Sequence, residues 1–243
     1  MRILITGATS GIGKQLALDY LAEGHEVWTI GRNQQVLDEL AELGFNAVKI
    51  DLSNRAEALE WFNTLTSIDL AILNAGTCEY IDYPDFDSAL IQRVMRANVE
   101  SMAISIEGIL PALRKGINPH LVGVGSSAAY VPLPRAEAYG ASKAAVEYLI
   151  NTLRLALFRE NIAVSLVCPG FVKTPLTDKN DFPMPFQVSV QEASRAIRKG
   201  IAKRKPEIHF PRRFTYLLKI LSLLPHSLWT HVAQRMMRNG QKP

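Results

Sequence analysis

Cysteine is scarce in this chain: Cys78 and Cys168 are the only two among 243 residues. With no short spacing between them they encode neither a disulfide framework nor a thiolate metal cluster, and both are expected as reduced, buried thiols at strand ends. The five histidines are scattered, none at ligand spacing with another His or a Cys, so no metal centre is expected. Internal repeats, low-complexity tracts and long linkers are absent, which excludes solenoids and tethered modules. No apolar run approaches the roughly 20 residues of a membrane-spanning helix. The apolar start, Arg2-Ile3-Leu4-Ile5, has no cleavage site and passes straight into a glycine loop. It therefore reads as a strand and not as a secretory leader, and a cytoplasmic protein is expected.

The chain does hold enough apolar material for one large core, 48% of its residues, with no visible boundary, so a single domain over 1–243 is expected. Short apolar runs near 2–6, 26–31, 45–51, 68–74, 120–126, 162–168 and 207–210 are separated mostly by stretches of helical period. Such alternation predicts an α/β fold, a parallel sheet covered by helices on both faces, with ligands gathered at the carboxyl ends of the strands.

The first run ends in Thr6-Gly7-Ala8-Thr9-Ser10-Gly11-Ile12-Gly13, after which Lys14-Gln15-Leu16-Ala17-Leu18 has a helical period. Strand, glycine turn and helix start make a cradle for a pyrophosphate. Gly7 permits the sharp turn, Gly11 a close backbone approach, Gly13 tight helix packing, and the helix N-terminus presents free amides to the anion. Further along, Tyr139 and Lys143 stand four apart in Ala138-Tyr139-Gly140-Ala141-Ser142-Lys143, which on a helix stacks a phenol and an ammonium on one face. A fixed cation favours the phenolate. Tyr139 is therefore expected to fall from about 10 toward neutrality, where it exchanges protons with a substrate.

Together with Asn74-Ala75-Gly76 after Ile68-Asp69-Leu70-Ala71-Ile72-Leu73, Asn98, Ser126, and Pro169-Gly170-Phe171-Val172-Lys173-Thr174, these residues occur in an order that resembles the short-chain dehydrogenase/reductase family. The likeness spans residues 6 to 174 and is to the branch of single-domain enzymes. It implies a Rossmann-type, doubly wound sheet of seven parallel strands with helices on both faces. It also implies a cofactor-binding and catalytic core over 1–175, a substrate lid and basic helical region over 175–243, and a homodimer or homotetramer built through helices near 86–115 and 138–160. The implied reaction is hydride transfer between a nicotinamide and a carbonyl or alcohol, served by the tetrad Asn98, Ser126, Tyr139 and Lys143. In that scheme Tyr139 passes the proton, Lys143 lowers the Tyr139 pKa and holds the ribose hydroxyls, Ser126 binds the carbonyl oxygen, and Asn98 keeps an ordered water in a relay from Lys143 to solvent. Ser127 offers a second hydroxyl, but the family spacing of thirteen residues back from Tyr139 selects Ser126.

The cofactor contacts implied by the resemblance begin with Gly7, Thr9, Ser10, Gly11, Ile12 and Gly13 in the loop. Asp51 and Leu52 would meet the adenine ring, Asn74, Ala75, Gly76, Pro169 and Gly170 would edge the site, and Val172 and Thr174 would lie by the nicotinamide carboxamide, beside Tyr139 and Lys143. Asp51 could also cap a helix beginning near Asn54, and Thr174, before Pro175, could cap the next one. The second strand ends in Thr29-Ile30-Gly31-Arg32-Asn33, with one guanidinium and no carboxylate. In dinucleotide folds an acid at this place pairs with the ribose hydroxyls of NAD and a base accommodates the phosphate of NADP. NADP(H) is therefore expected in preference to NAD(H), with Arg32 on the phosphate.

Phe171 to Val190, containing Phe182-Pro183-Met184-Pro185-Phe186, is expected as the lid and Tyr130-Val131-Pro132-Leu133-Pro134 as a facing wall, an apolar pocket suited to a hydrophobic aldehyde or ketone. Charge is segregated along the chain. Residues 195–243 hold twelve Lys or Arg and one acid, Glu207, a balance of +11 against +4 overall, which leaves −7 on 1–194. Arg212-Arg213 precede the apolar stretch Phe214 to Leu224, and Leu228-Trp229 follow it. That pattern fits a helix packed on the protein's own sheet or on a second subunit, a peripheral contact with a membrane, or an acidic partner. No recognition motif accompanies the charge, so nucleic acid is not expected as a partner. An epimerase or dehydratase of the family, or a binding protein that has lost catalysis, is disfavoured by the glycine spacing and by the intact tetrad respectively.

Overall fold

The computed structural model describes residues 1–238; residues 239–243, the tip of the basic region 195–243, lie outside the described residues. Seven strands, β1 Arg2–Thr6, β2 Glu26–Gly31, β3 Asn46–Lys49, β4 Leu70–Leu73, β5 His120–Val124, β6 Ala163–Pro169 and β7 Glu207–Phe210, form one parallel sheet in the order β3-β2-β1-β4-β5-β6-β7. Each falls inside, or within one residue of, the run read from the sequence. The helices are α1 Gly11–Ala22, α2 Gln34–Glu42, α3 Arg55–Phe62, α4 Ser88–Met95, α5 Ser101–Leu113, α6 Glu137–Leu157, α7 Val190–Ala202, α8 Arg212–Leu221 and α9 His226–Arg238. None among the described residues is long and apolar enough to cross a membrane.

Both faces of the sheet are covered. Phe62 of α3, Ile109 of α5 and Ile150 of α6 lie in the core on one side, and Leu16 of α1, Leu40 of α2 and Ile197 of α7 in the core on the other. Double burial explains why central strands such as Leu70-Ala71-Ile72-Leu73 are apolar throughout and do not alternate. Strand order reverses at β1, which pairs with both β2 and β4 and opens a crevice at the carboxyl ends. The region beyond residue 175 also builds the fold. α7, started by a Ser189–Glu192 capping box, packs on that second core, and β7 completes the sheet beside β6. The helix expected near 86–115 is broken by a π-helical turn at Arg96–Glu100, which joins α4 to α5 and carries Asn98 fully buried.

Thr6 stitches the crevice together. Its buried hydroxyl accepts from the Asn74 and Ala75 amides at 3.0 Å each, while Asn74 Nδ2 donates to the Thr6 and Gly7 carbonyls at 3.2 Å. These bonds turn the chain away from the ladder after Leu73 and fix the segment beyond β4 to the glycine loop. Thr6→Val keeps the shape but strands two amide donors, each costing about 1–3 kcal/mol when unsatisfied. Urea unfolding should therefore show a stability loss of about 2 kcal/mol or more at unchanged slope; a loss below about 0.5 kcal/mol, within the range of a neutral surface change, would contradict this role for Thr6.

Candidate active site

Ser10 is the N-cap of α1 in extended backbone, φ −157° and ψ 169°, and makes no side-chain capping bond. The first return bond runs from the Lys14 amide to the Ser10 carbonyl at 3.2 Å, which leaves the amides of Gly11, Ile12 and Gly13 as unpaired first-turn donors. Gly11 has φ +53°, and a Cβ there would sit 3.2 Å from Thr174 Cγ2, in the mouth of the loop. At Gly13 a Cβ would come within 2.3 Å of the Gly7 carbonyl oxygen, so α1 packs on the turn as closely as the sequence predicts. Thr9 lies against Gly31, bringing the loop to the end of β2.

Arg32, just past that end, is exposed and has no bonded carboxylate among the described residues. Asp51 lies near it. Its carboxyl is held below the usual range chiefly by the Ser53 amide at 3.0 Å, then by the Ser53 hydroxyl at 2.8 Å, with the Arg32 and Arg96 charges adding and burial opposing. Asp51 therefore spends its side chain on a local turn, and the N-cap of α3 is Asn54, three residues later, without a side-chain bond. The Leu52 side chain is buried in the core, so only its main chain is left for a ring contact.

α6 carries Tyr139 and Lys143 on one face, as their spacing requires. Lys143 is 5% exposed, and its Nζ donates to the Val124 carbonyl at the end of β5 at 3.0 Å and lies 5.8 Å from the centre of the Tyr139 ring. Ser126 follows that strand end, accepts from the Ala128 amide at 3.1 Å, and faces the Tyr139 phenol, whereas Ser127 is buried. Geometry thus brings Ser126, and not Ser127, to the tyrosine. Asn98 Oδ1 accepts from the Thr77 amide at 2.7 Å, and its Nδ2 donates to the Thr77 carbonyl and to Ser142 Oγ at 2.9 Å each. With both Nδ2 hydrogens committed, the Asn98 side chain clamps the segment after β4 onto α6. Gly76 completes the contact, since a Cβ there would lie 2.9 Å from Asn98 Oδ1 and 3.6 Å from Lys143 Nζ.

Electrostatics correct one expectation. Burial pushes the Tyr139 phenol up to about 12, with the neighbouring Cys78 thiol adding and Ser126 opposing. Burial also lowers Lys143 to about 8, against a smaller upward pull from Cys78. Lys143 does not bring Tyr139 toward neutrality in the free protein, because the ammonium is 5.8 Å from the ring, is held by a carbonyl and is itself desolvated. At neutral pH the pair is a protonated phenol beside a cation, an arrangement suited to donating a proton.

Cys78 was expected to be buried at a strand end, yet it lies beyond β4 and is only partly buried near Tyr139 and Lys143, its thiol facing Tyr80 and raised by burial. Cys168, in β6, is buried as expected. Cys78, Tyr80, Thr77 and Ser142 are the site residues that sequence reasoning missed. Their only signal is nearness to Asn74-Ala75-Gly76 and to Tyr139.

The segment after β6 is fastened at its base by a Val172–Val188 bridge, with the Lys173 amide donating to the Val188 carbonyl at 2.9 Å. Above it Phe182 meets Tyr80 and Phe171, with ring centres at 5.5 and 6.1 Å. Arg135 ties the segment down through Asp181 at 2.6 Å and Asp82 at 2.7 Å. The Gly170 amide donates to the Phe210 carbonyl at 2.7 Å, which fixes Pro169-Gly170 at the sheet edge. Thr174 accepts from the Thr177 amide at 3.3 Å in the turn that leads into a short 3-10 helix, whose N-cap is Leu176, while also standing beside Gly11.

These donors fit a dinucleotide: free first-turn amides, a cradle at Gly11 that a Cβ would fill, an unpaired guanidinium at the end of β2 and a buried cation at the end of β5. A family model described as short chain dehydrogenase matches residues 1–183. An uncharacterized oxidoreductase of Myxococcus xanthus is 31% identical over 243 residues, 96% of each chain. The 11-beta-hydroxysteroid dehydrogenase-like 3 of Arabidopsis thaliana is 30% identical over 240 residues, 92% of this chain and 77% of that one. Among solved structures, a short chain dehydrogenase/reductase family protein superposes with a TM-score of 0.76 at 25% identity, over 86% of this chain and 94% of that one. The closed form of a serine dehydrogenase complexed with NADP+ has the same score and coverage at 24% identity. The chain therefore belongs to the short-chain dehydrogenase family of oxidoreductases.

Proposed function

We propose that the protein is an NADP(H)-dependent carbonyl reductase or alcohol dehydrogenase acting on an apolar substrate, with Tyr139 as general acid and base. The observation that carries this reading is the meeting of Tyr139, Lys143 and Ser126 at the end of β5, opposite the free amides of α1. The bound dinucleotide would supply or accept the hydride. Gly11, Ile12 and Gly13 would hold its phosphates with Ser10 and Thr9, Arg32 would take the ribose phosphate, and Asn74 to Gly76, Pro169, Gly170, Val172 and Thr174 would frame the nicotinamide end. Lys143, charged below about pH 8, would hold the ribose hydroxyls and balance the phenolate left when the proton moves to the substrate oxygen held by Ser126. Because burial keeps Tyr139 protonated at neutral pH in the free protein, it is poised there to donate its proton to a carbonyl oxygen.

The aromatics Phe171 and Phe182, with Phe214 of α8 packed on Phe171, support an apolar substrate, as does a relative named for a hydroxysteroid. Tyr148, Leu155 and Phe158 stand exposed along and just beyond α6, a surface suited to a homodimer or homotetramer.

NADPH absorbance, followed with a panel of apolar aldehydes, ketones and quinones, should fall with at least one of them. Tyr139→Phe should slow that turnover by roughly 10²–10⁴-fold while keeping NADPH binding. Saturable NADPH binding with no turnover across the panel would favour the binding-protein reading, and a strong preference for polyols would contradict the apolar pocket. Arg32→Asp should weaken NADPH at least about tenfold and spare NADH, in line with the loss of a charge-assisted bond. An unchanged NADPH dissociation constant would remove Arg32 from the site.

A further inference from the structure

Helices α8 and α9 roof the cleft from outside. On their inner side Leu218 and Trp229 pack on Val131, the Trp229 indole donates to the Pro132 carbonyl at 2.9 Å, and Phe214 lies 5.5 Å from Phe171. The roof thus rests on both walls of the pocket.

The outer side of α8 repeats the apolar character. Arg213, Tyr216, Leu217 and Ile220 fall at i, i+3, i+4 and i+7, one continuous stripe, and Leu223 extends it. Leu217 is 50% exposed, Ile220 64% and Leu223 82%. An inward stripe of Thr215 and Leu218 already satisfies the fold, so the second stripe has no partner within the described residues. Glu207 is the last acidic side chain in the sequence, with no Asp or Glu from 208 to 243. Arg212 and Arg213, at the head of the stripe, are exposed and have no carboxylate partner among the described residues; Arg212 lies over the Tyr216 ring at 5.5 Å. Two copies meeting through this face would bring like charges together with no acid to separate them. An apolar stripe led by unpaired guanidinium groups and lacking carboxylates is complementary to an acyl layer beneath anionic headgroups.

We propose that the outer face of α8 docks on an anionic lipid bilayer, laying the helix in the interface with Leu217, Ile220 and Leu223 inserted and Arg212 and Arg213 on lipid phosphates. Docking would set the cleft beneath the roof next to the membrane as a source of apolar carbonyl compounds. That consequence rests on the substrate reading above; the docking itself rests on the stripe and its charge.

The test is cosedimentation of the full chain with vesicles of phosphatidylcholine alone or mixed with phosphatidylglycerol, at low and high salt. Binding should require phosphatidylglycerol and weaken with salt. L217E/I220E should lower the partition coefficient at least about tenfold, since charged side chains replace inserted apolar ones. R212Q/R213Q should lower it roughly 30-fold, the product of two surface charges. Unchanged NADPH binding in both variants would show that the fold persists. Failure of the native chain to pellet with anionic vesicles at low salt would overturn the proposal, as would equal pelleting of L217E/I220E or equal binding to neutral vesicles. Sedimentation velocity in which L217E/I220E alone converts an oligomer to a smaller species would assign the face to a second copy and also overturn it. Pelleting involves no turnover, so the docking and the reductase reading fail separately.

Discussion

A buried ammonium sets the terms for the cleft. Lys143 is nearly inaccessible and bonded to one carbonyl, that of Val124, with no paired carboxylate among the described residues. Such a group is unfavourable in a folded interior unless its neighbours are arranged around it. Gly76 leaves it room, Asn98 clamps the chain beside it, and Thr6 secures that chain to the glycine loop. Its lowered proton affinity comes chiefly from burial, with a smaller upward pull from Cys78.

The tyrosine is governed by the same burial. In the free protein Tyr139 and Lys143 are pushed in opposite directions, phenol up and ammonium down, both toward neutrality of charge. A ligand that brings negative charge near Lys143 would hold it as a cation to higher pH. The segment after β6, closed at its base by the Val172–Val188 bridge, is held through Asp181 by Arg135, which also binds Asp82.

Much of this was legible in the sequence. Doubly covered parallel strands are apolar without alternation, so runs such as Ile3-Leu4-Ile5 located the sheet. Helical spacing placed Tyr139 with Lys143, and counting back along the chain chose Ser126 over Ser127. Spacing carries adjacency but not burial, which is why the direction of the Tyr139 shift was misjudged. Cys78 escaped because Thr6 draws the Asn74 and Ala75 amides out of the ladder, and the irregular segment that follows has no period. The clamp made by Asn98 depends on a π-helical turn, which has no residue pattern of its own. α8 was read with a single apolar stripe for the sheet, a second subunit or a membrane, whereas it carries two, one buried and one exposed.

Lysine side-chain NMR titration, with Lys143 assigned through Lys143→Arg, addresses the buried cation most directly. In the free protein Lys143 should titrate near 8 and move upward when NADPH is added, as anionic phosphates restore the charge. An ordinary lysine value near 10.4 in the free protein, unmoved by NADPH, would contradict the account.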